Sequence, residues 1–297
     1  MSIVQRINSA SDNSSVSLNT SPTLAKIELT GKCTLSCRFC NNANMRKYNQ
    51  RQKLLSTEDF ELVLENLKSI TSIKEVGLFY MGESGLHPLL KEFYKKLKEA
   101  GYFTFLTTNG TYIKYILEAI PYIDSLKVSW NYKDLTDFIE KTGVAAQVYF
   151  SIQRNIGILY EECHKHNKTL AISTVLDSEE SSYNGILKQL KYDEHYFIPL
   201  QNQNGIVKNG APGVIGESIN PVKPIPCWSL FKGVYIDVNL NVRTCCYGHN
   251  KIHILGNLRE EKLSNLISDE KLIKYKKLHL SNKIPNICTL CLNTKEK

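Results

Sequence analysis

At 297 residues the chain is long enough for one large domain, or for a barrel with an appendage. Hydrophobic residues make up 42% and charged residues 22%, and no apolar run approaches the ~20 residues of a spanning helix, so neither disorder nor a membrane span is indicated. The formal charge of +8 admits nucleic acid or an anionic substrate. However, the lysines are spread along helical faces with no Arg-rich arm or aromatic-interleaved basic stripe, so they read as solvated surface and a nucleic-acid partner is not expected.

Residues 1–22 are rich in Ser and Asn and lack the apolar core of a signal peptide; they read as a flexible lead-in to a cytoplasmic protein. From 23 to 200, strand-like and helix-like segments alternate. Leu24–Leu29 reads as a short strand. Ser56-Thr57-Glu58-Asp59 marks a helix start, and Phe60, Val63, Leu64 and Leu67 keep helical spacing after it. Val76–Tyr80 reads as a buried strand. A helix near Pro88 runs to Ala100 and stops at Gly101. Strands at Tyr102–Thr107, Ser125–Ser129, Leu170–Leu176 and His195–Leu200 follow. Between them lie a helix ending before Pro121, a long helical stretch from about Ala145 to His166, and a helix around Tyr183–Leu190. Such alternation calls for parallel strands with helical crossovers, and six units rather than eight predict an incomplete (β/α)6 barrel of α/β class.

In such barrels the chemistry gathers in the loops after the strands. Four polar clusters stand there: Cys33-Thr34-Leu35-Ser36-Cys37-Arg38-Phe39-Cys40, then Tyr80–Ser84, then Thr107–Gly110, then Ser129-Trp130-Asn131. Nine cysteines without a secretory signal point to metal or redox chemistry rather than disulfides. Three thiols within eight residues can converge on one inorganic object. A tetrahedral zinc site wants a fourth ligand, and no cysteine follows in the next hundred residues. A [4Fe–4S] cube held by Cys33, Cys37 and Cys40 leaves one iron open to a ligand that is not protein.

This spacing resembles the signature of the radical SAM enzymes, whose open iron is chelated by S-adenosylmethionine. The resemblance implies that Phe39 packs near the adenine. Gly82-Glu83 resembles the family's Gly-Gly-Glu-Pro segment that meets the cofactor's amino group, although Met81 and Ser84 replace its first Gly and its Pro. Thr108-Asn109-Gly110 resembles the cofactor-lining turn. Ser129 and Asn131 match the ribose-contacting strand end, and Ser173 and Thr174 fall where the cofactor carboxylate is met. His87 reads as a helix-start residue and Cys163 as filling between helix and core.

Residues 201–226 form a breaker-rich linker. Beyond it stand Cys227, two short strands at Val234–Val238 and Val242–Cys245, Cys246, a helical tail, and the pair Cys288 and Cys291. Four thiolates there suit a structural zinc or an iron–sulfur cluster equally. The run 227–297 resembles the auxiliary-cluster extension of radical SAM enzymes, the SPASM and shorter twitch domains, a small α+β unit. That resemblance implies a second [4Fe–4S] cluster on Cys227, Cys245, Cys288 and Cys291. Leu240 stands where the family often has Gly, so Asn239 or Asn241 is expected to supply the left-handed residue. Strand alternation turns Cys246 away from Cys245, leaving it as a buried hydrophobe or as a hydrogen donor to a substrate radical.

The implied activity is hydrogen abstraction by a 5′-deoxyadenosyl radical, with net oxidation of a small sugar-like or aminocyclitol substrate and the auxiliary cluster as electron acceptor. An external reductant such as flavodoxin or ferredoxin is implied as partner. An epimerase using Cys246, or an enzyme modifying a peptide substrate, stand as the alternatives.

Overall fold

The structure, a computed structural model, describes residues 2–12, 14–40, 42, 52–199, 226–246, 253–285 and 288. Helix α1 (Ile3–Ser11) precedes strand β1 (Leu24–Ile27). Then α2 (Thr57–Lys68) leads to β2 (Glu75–Gly77), α3 (Leu90–Glu99) to β3 (Phe103–Thr108), and α4 (Lys114–Ala119) to β4 (Ser125–Ser129). Helices α5 (Leu135–Thr142) and α6 (Ala146–Lys165) precede β5 (Leu170–Leu176), and α7 (Asn184–Leu187) precedes β6 (Glu194–Pro199). The six strands lie side by side in sequence order and all pair in parallel. The expected α/β architecture is therefore present: an open six-stranded parallel sheet with helical crossovers.

Local chemistry accounts for the boundaries. Ser56 caps α2 by accepting from the Asp59 amide, and the predicted positions Phe60, Val63, Leu64 and Leu67 are all buried. Helix α3 ends where Gly101 adopts a φ of +83°, which other residues take only under strain. Along β1 the side chains alternate. Ala25 and Ile27 enter the helix-covered core, while Lys26 lines a cavity on the inner face.

The lead-in reading of residues 1–22 needs correction. Ser2 and Gln5 form a reciprocal capping box that starts α1. The helix docks against the first residues of three strands. Arg6 pairs with Glu75 at 2.6 Å and contacts Ser125, and the Ile3 amide donates to Glu194 at 2.9 Å. It therefore sits at the N-terminal end of the barrel. The solvated reading of the lysines is also corrected in part, since Lys26, Lys127 and Lys141 point inward. The strand expected at Val76–Tyr80 is shorter, ending at Gly77.

The C-terminal segment is stitched into the same sheet. Helix α8 (Trp228–Lys232) leads to β7 (Gly233–Ile236), which pairs in parallel with β1 from Leu24↔Gly233 to Ile27↔Ile236. Strands β8 (Asn241–Arg243) and β9 (Ile254–Asn257) continue it in antiparallel sense, and α9 (Leu263–Leu266) and α10 (Glu270–Leu280) follow. The Val238 amide donates to the buried carboxylate of Glu28 at 3.0 Å, which locks the hairpin turn onto the barrel.

Leu240 itself, not Asn239 or Asn241, is the left-handed residue of that turn, with φ +66°. The fully buried Asp237 explains how a leucine is held there. One of its oxygens accepts from the Asn239 and Asn241 amides, the other from the Arg243 guanidinium at 2.6 Å. The turn is thus fixed from outside residue 240, and the Leu240 side chain is buried in the main core. Apart from Pro226, the expected linker lies outside the described residues, as does Cys291.

Candidate cofactor site

The cysteine loop leaves the C-terminal end of β1 and is gripped by the loops of its neighbours. From β2, the Glu83 amide donates to the Lys32 carbonyl at 2.7 Å. Gly82 lies so close that a Cβ there would stand 1.9 Å from the Thr30 carbonyl oxygen and 2.7 Å from that of Lys32. From the loop after β3, the Asn109 side-chain amide donates to Cys33 Sγ at 3.4 Å and to Thr34 at 3.3 Å. From the loop after β4, the Tyr132 hydroxyl stands 3.7 Å from Cys37 Sγ. The Arg38 amide donates to the Lys141 carbonyl at the end of α5, and Asn42 closes the loop by donating to the Gly31 carbonyl.

Glu83 is buried and its carboxylate is engaged by the protein. One oxygen accepts from the Gly85 amide at 2.9 Å and the Thr108 hydroxyl at 2.8 Å, the other from the Asn109 amide at 2.7 Å. Burial pushes its pKa up against the pull of those three donors. A carboxylate has about four acceptor positions, so most of its capacity braces one rim loop against the next. Asn109 likewise sits on a cysteine thiol rather than in open space.

Burial pushes the Cys37 thiol up to about 12, with the charges of Cys40 and Cys33 adding to the rise and the Tyr132 hydroxyl opposing it. The mutual effect places the three thiols in one electrostatic neighbourhood. Among the described residues, no three His, Cys, Asp or Glu side chains gather tightly enough for a single metal ion. A cube makes a different demand, one thiolate on each of three irons. Three thiols on one loop, with an amide and a hydroxyl directed at their sulfurs, fit that donor set.

Of the other expected cofactor residues, Phe39 is buried, and Ser129 and Ser173 are register partners on adjacent strands. Asn131 Oδ1 accepts from the Val175 amide at 2.8 Å, so its side chain ties β4 to β5. Thr174 is separated from Ser173 by alternation, and its hydroxyl is engaged with the His195 ring at 3.0 Å. His87 serves the start of α3, accepting from the Leu89 amide and bonding the Leu55 carbonyl; its burial lowers its pKa. Cys163 is buried in the core.

Sequence reasoning missed the support beneath the rim. The Lys141 ammonium, 1% exposed, bonds Asp137 at 2.9 Å, Asp177 at 2.7 Å and the Asn131 carbonyl at 2.9 Å. A single lysine on an amphipathic helix carries no signal that it points inward; its partners are Asp137, one turn earlier on the same helix, and Asp177, just beyond the end of β5.

At the second cysteine set, Cys227 and Cys288 pack in one small apolar cluster with Leu230, Phe231 and Leu272. Tyr80 reaches across from the rim and donates to the Cys245 carbonyl at 3.0 Å, its ring stacked on Tyr235. The Ser229 hydroxyl, two residues beyond Cys227, donates to Cys246 Sγ at 3.4 Å.

Comparison with known proteins follows this division. The radical SAM superfamily model matches residues 27–139, and that of the SPASM iron–sulfur cluster-binding domain matches 227–292. A 118-residue stretch is 28% identical to 7-carboxy-7-deazaguanine synthase of Methanocaldococcus jannaschii, covering 36% of this chain and 47% of that relative's length. The fold is similar to that of BtrN in complex with AdoMet and 2-DOIA, with a TM-score of 0.59, 15% identity, and 92% and 94% of the two chains covered. It is also similar to anSMEcpe with bound AdoMet (TM-score 0.61, 15% identity, 90% and 88% covered). Streptococcus suis SuiB bound to precursor peptide SuiA gives a TM-score of 0.65 at 18% identity, over 86% of this chain and 66% of that one. The two matched domains bring with them a [4Fe–4S] cluster, S-adenosylmethionine and further iron–sulfur cluster binding. The chain thus carries a radical SAM domain at residues 27–139 and a SPASM iron–sulfur cluster-binding domain at residues 227–292.

Proposed function

We propose that Cys33, Cys37 and Cys40 hold the first cluster and that the barrel rim binds S-adenosylmethionine beside it. When bound, these groups supply reductive cleavage of S-adenosylmethionine and a 5′-deoxyadenosyl radical that takes hydrogen from a substrate C–H bond. The chain's own residues position and shield. Gly82 lets the main chain approach the cysteine loop, Glu83 braces the loops after β2 and β3, and Asn109 donates to Cys33, a contact that tunes a bound cluster. Phe39, Ser129, Asn131 and Ser173 face the cofactor in this reading. Residues 23–200 form the catalytic barrel, 201–226 the linker and 227–297 the auxiliary unit, with Cys227, Cys245, Cys288 and Cys291 holding a second cluster that accepts the substrate's electron. The net reaction is the oxidation of a small sugar-like or aminocyclitol substrate in a cytoplasmic enzyme, with flavodoxin or ferredoxin supplying the first electron.

The observation that carries this is the grip of three neighbouring rim loops on the cysteine loop. Anaerobic reconstitution tests it. About eight irons per chain, four for each cube, and reductive cleavage of S-adenosylmethionine lost in Cys33→Ala, Cys37→Ala and Cys40→Ala are expected; zinc without iron sinks the proposal.

One contact favours a second reading, an epimerase. Cys246 Sγ is held by Ser229, next in the chain to Trp228, which lines the inner cavity of the barrel. Solvent deuterium in the product, lost in Cys246→Ala, distinguishes it from oxidation. SuiB and anSMEcpe are both described with peptides, so a peptide substrate is the third outcome that a substrate-dependent 5′-deoxyadenosine assay can return.

A further inference from the structure

Within the barrel, on the inner face of the sheet, lies a cavity of about 240 Å³. Its wall gathers three cations from three elements, Arg6 of α1, Lys26 of β1 and Lys127 of β4. None of the described residues lining it is acidic. Each cation rests on aromatic surface. Arg6 lies 5.1 Å and 4.9 Å from the rings of Phe103 and Phe105, Lys26 lies 5.0 Å from that of Phe79, and Lys127 lies 5.4 Å from that of Tyr196. Arg6 also pairs with Glu75 outside the lining.

The cavity is continuous with the rim in register. Lys127 stands two residues before Ser129, so both project from the same face of β4, about 7 Å apart along the strand. Thr107, which also lines the cavity, is the register partner of Lys127 and leads into Thr108 and Asn109.

We propose that this cavity seats an anionic group of the substrate, a carboxylate or a phosphate, on Lys127 and Lys26, with the reacting part of the molecule directed up toward Ser129 and Asn109. The proposal deepens the radical SAM reading of the same barrel and rests on it for the location of the chemistry. The volume is smaller than the ~300–1,000 Å³ of pockets that enclose a whole drug-sized ligand, and suits one charged end of a molecule that continues to the rim.

The crowding of like charge supports it. Burial, then Lys26, then Arg6 lower the Lys127 pKa to about 7. Among the described residues, the groups facing this cation are Lys26 from β1, Arg6 from α1 and the Tyr196 ring from β6, with Glu75 committed to Arg6. Lys26 and Lys127 bring like charge to one hollow, and no acidic side chain among the described residues lines it. An anion seated there offsets the positive charge that Lys26 and Arg6 press on Lys127.

The test is calorimetric titration of the reconstituted protein, in the presence of S-adenosylmethionine, with inorganic phosphate, succinate and the neutral probe succinamide. At least one anion binds and succinamide does not; the tighter of the two anions distinguishes phosphate from carboxylate. Lys127→Met and Lys26→Met each weaken that binding by about tenfold or more, as expected for the loss of one charged contact, and Lys127→Arg retains it. Silence with both anions, equal binding of succinamide, or undiminished binding in Lys127→Met overturns the proposal. Reductive cleavage of S-adenosylmethionine by the unsubstituted protein is scored separately. Its absence sinks the reading of the Cys33–Cys40 loop, and the titration then judges the cavity alone.

Discussion

Glu83 and Lys32 are joined main chain to main chain, the amide of one donating to the carbonyl of the other at 2.7 Å, across the gap between the second and first strand ends. The bond forms only because position 82 has no side chain. Gly82→Ala would place a Cβ inside the Thr30 carbonyl, a backbone atom that has nowhere to rotate. The expected outcome is a loss of about 1–3 kcal/mol, typical of overpacking, with a fall in iron content on reconstitution. Thermal unfolding and iron analysis of the same preparations check both.

Lys141 is the next test of rim support. Removing it leaves Asp137 and Asp177 buried without their cation, and breaking such a group costs about 3–5 kcal/mol. Lys141→Met therefore lowers the urea midpoint strongly at an unchanged slope. It also weakens S-adenosylmethionine binding, because the Asn131 carbonyl loses its donor.

Leu240 offers a comparison of opposing effects. Its left-handed backbone costs about 1–2 kcal/mol, whereas removing a buried leucine side chain costs about 2–5 kcal/mol. Burial wins, so Leu240→Gly destabilises. Leu240→Ala destabilises more, since it loses the packing and keeps the strain, and the two variants separate by about 1 kcal/mol. Denaturation midpoints that rank alanine above glycine contradict this account.

Lys127 makes stability depend on pH with a definite sign. The unfolded chain keeps its proton up to the ordinary lysine value of 10.5, the folded protein only to about 7. Between those values the unfolded state binds more protons, so this group's contribution to stability rises with pH. Lys127→Met removes the slope. Its gain in melting temperature is largest below about pH 7 and shrinks toward about pH 10, which paired thermal scans across that window will show.

At the auxiliary unit, the choice between adjacent thiols is decided by iron analysis. With Cys245 as ligand, Cys245→Ala holds about four irons per chain, while Cys246→Ala holds about eight. The reverse result assigns the cluster to the thiol that Ser229 now contacts.

What was readable from sequence had a local cause. The apolar run of β5, the spacing of Phe60, Val63, Leu64 and Leu67, and the capping by Ser56 are decided within a few residues. The cysteine spacing was legible because its chemistry constrains consecutive positions. The rest depends on partners distant in the chain. Arg6 means nothing until Glu75 is beside it, and Lys141 looks solvated until Asp177 closes over it. The bracing of Glu83 by Thr108 and Asn109 is not legible in the sequence, because those two donors come from a loop that no local pattern connects to it. The handedness of Leu240 is set by Asp237 through bonds to three other residues, which overrides the usual preference for glycine or asparagine.

The pairing of β1 with β7 has a consequence for biogenesis. The strand that emerges from the ribosome early acquires its second neighbour more than two hundred residues later. Through most of synthesis one flank of the nascent barrel is a bare ladder of amides and carbonyls, open to adhesion by other chains. The cysteine loop, held by residues 82–141, finds its supports long before that flank is closed by residues 233–236.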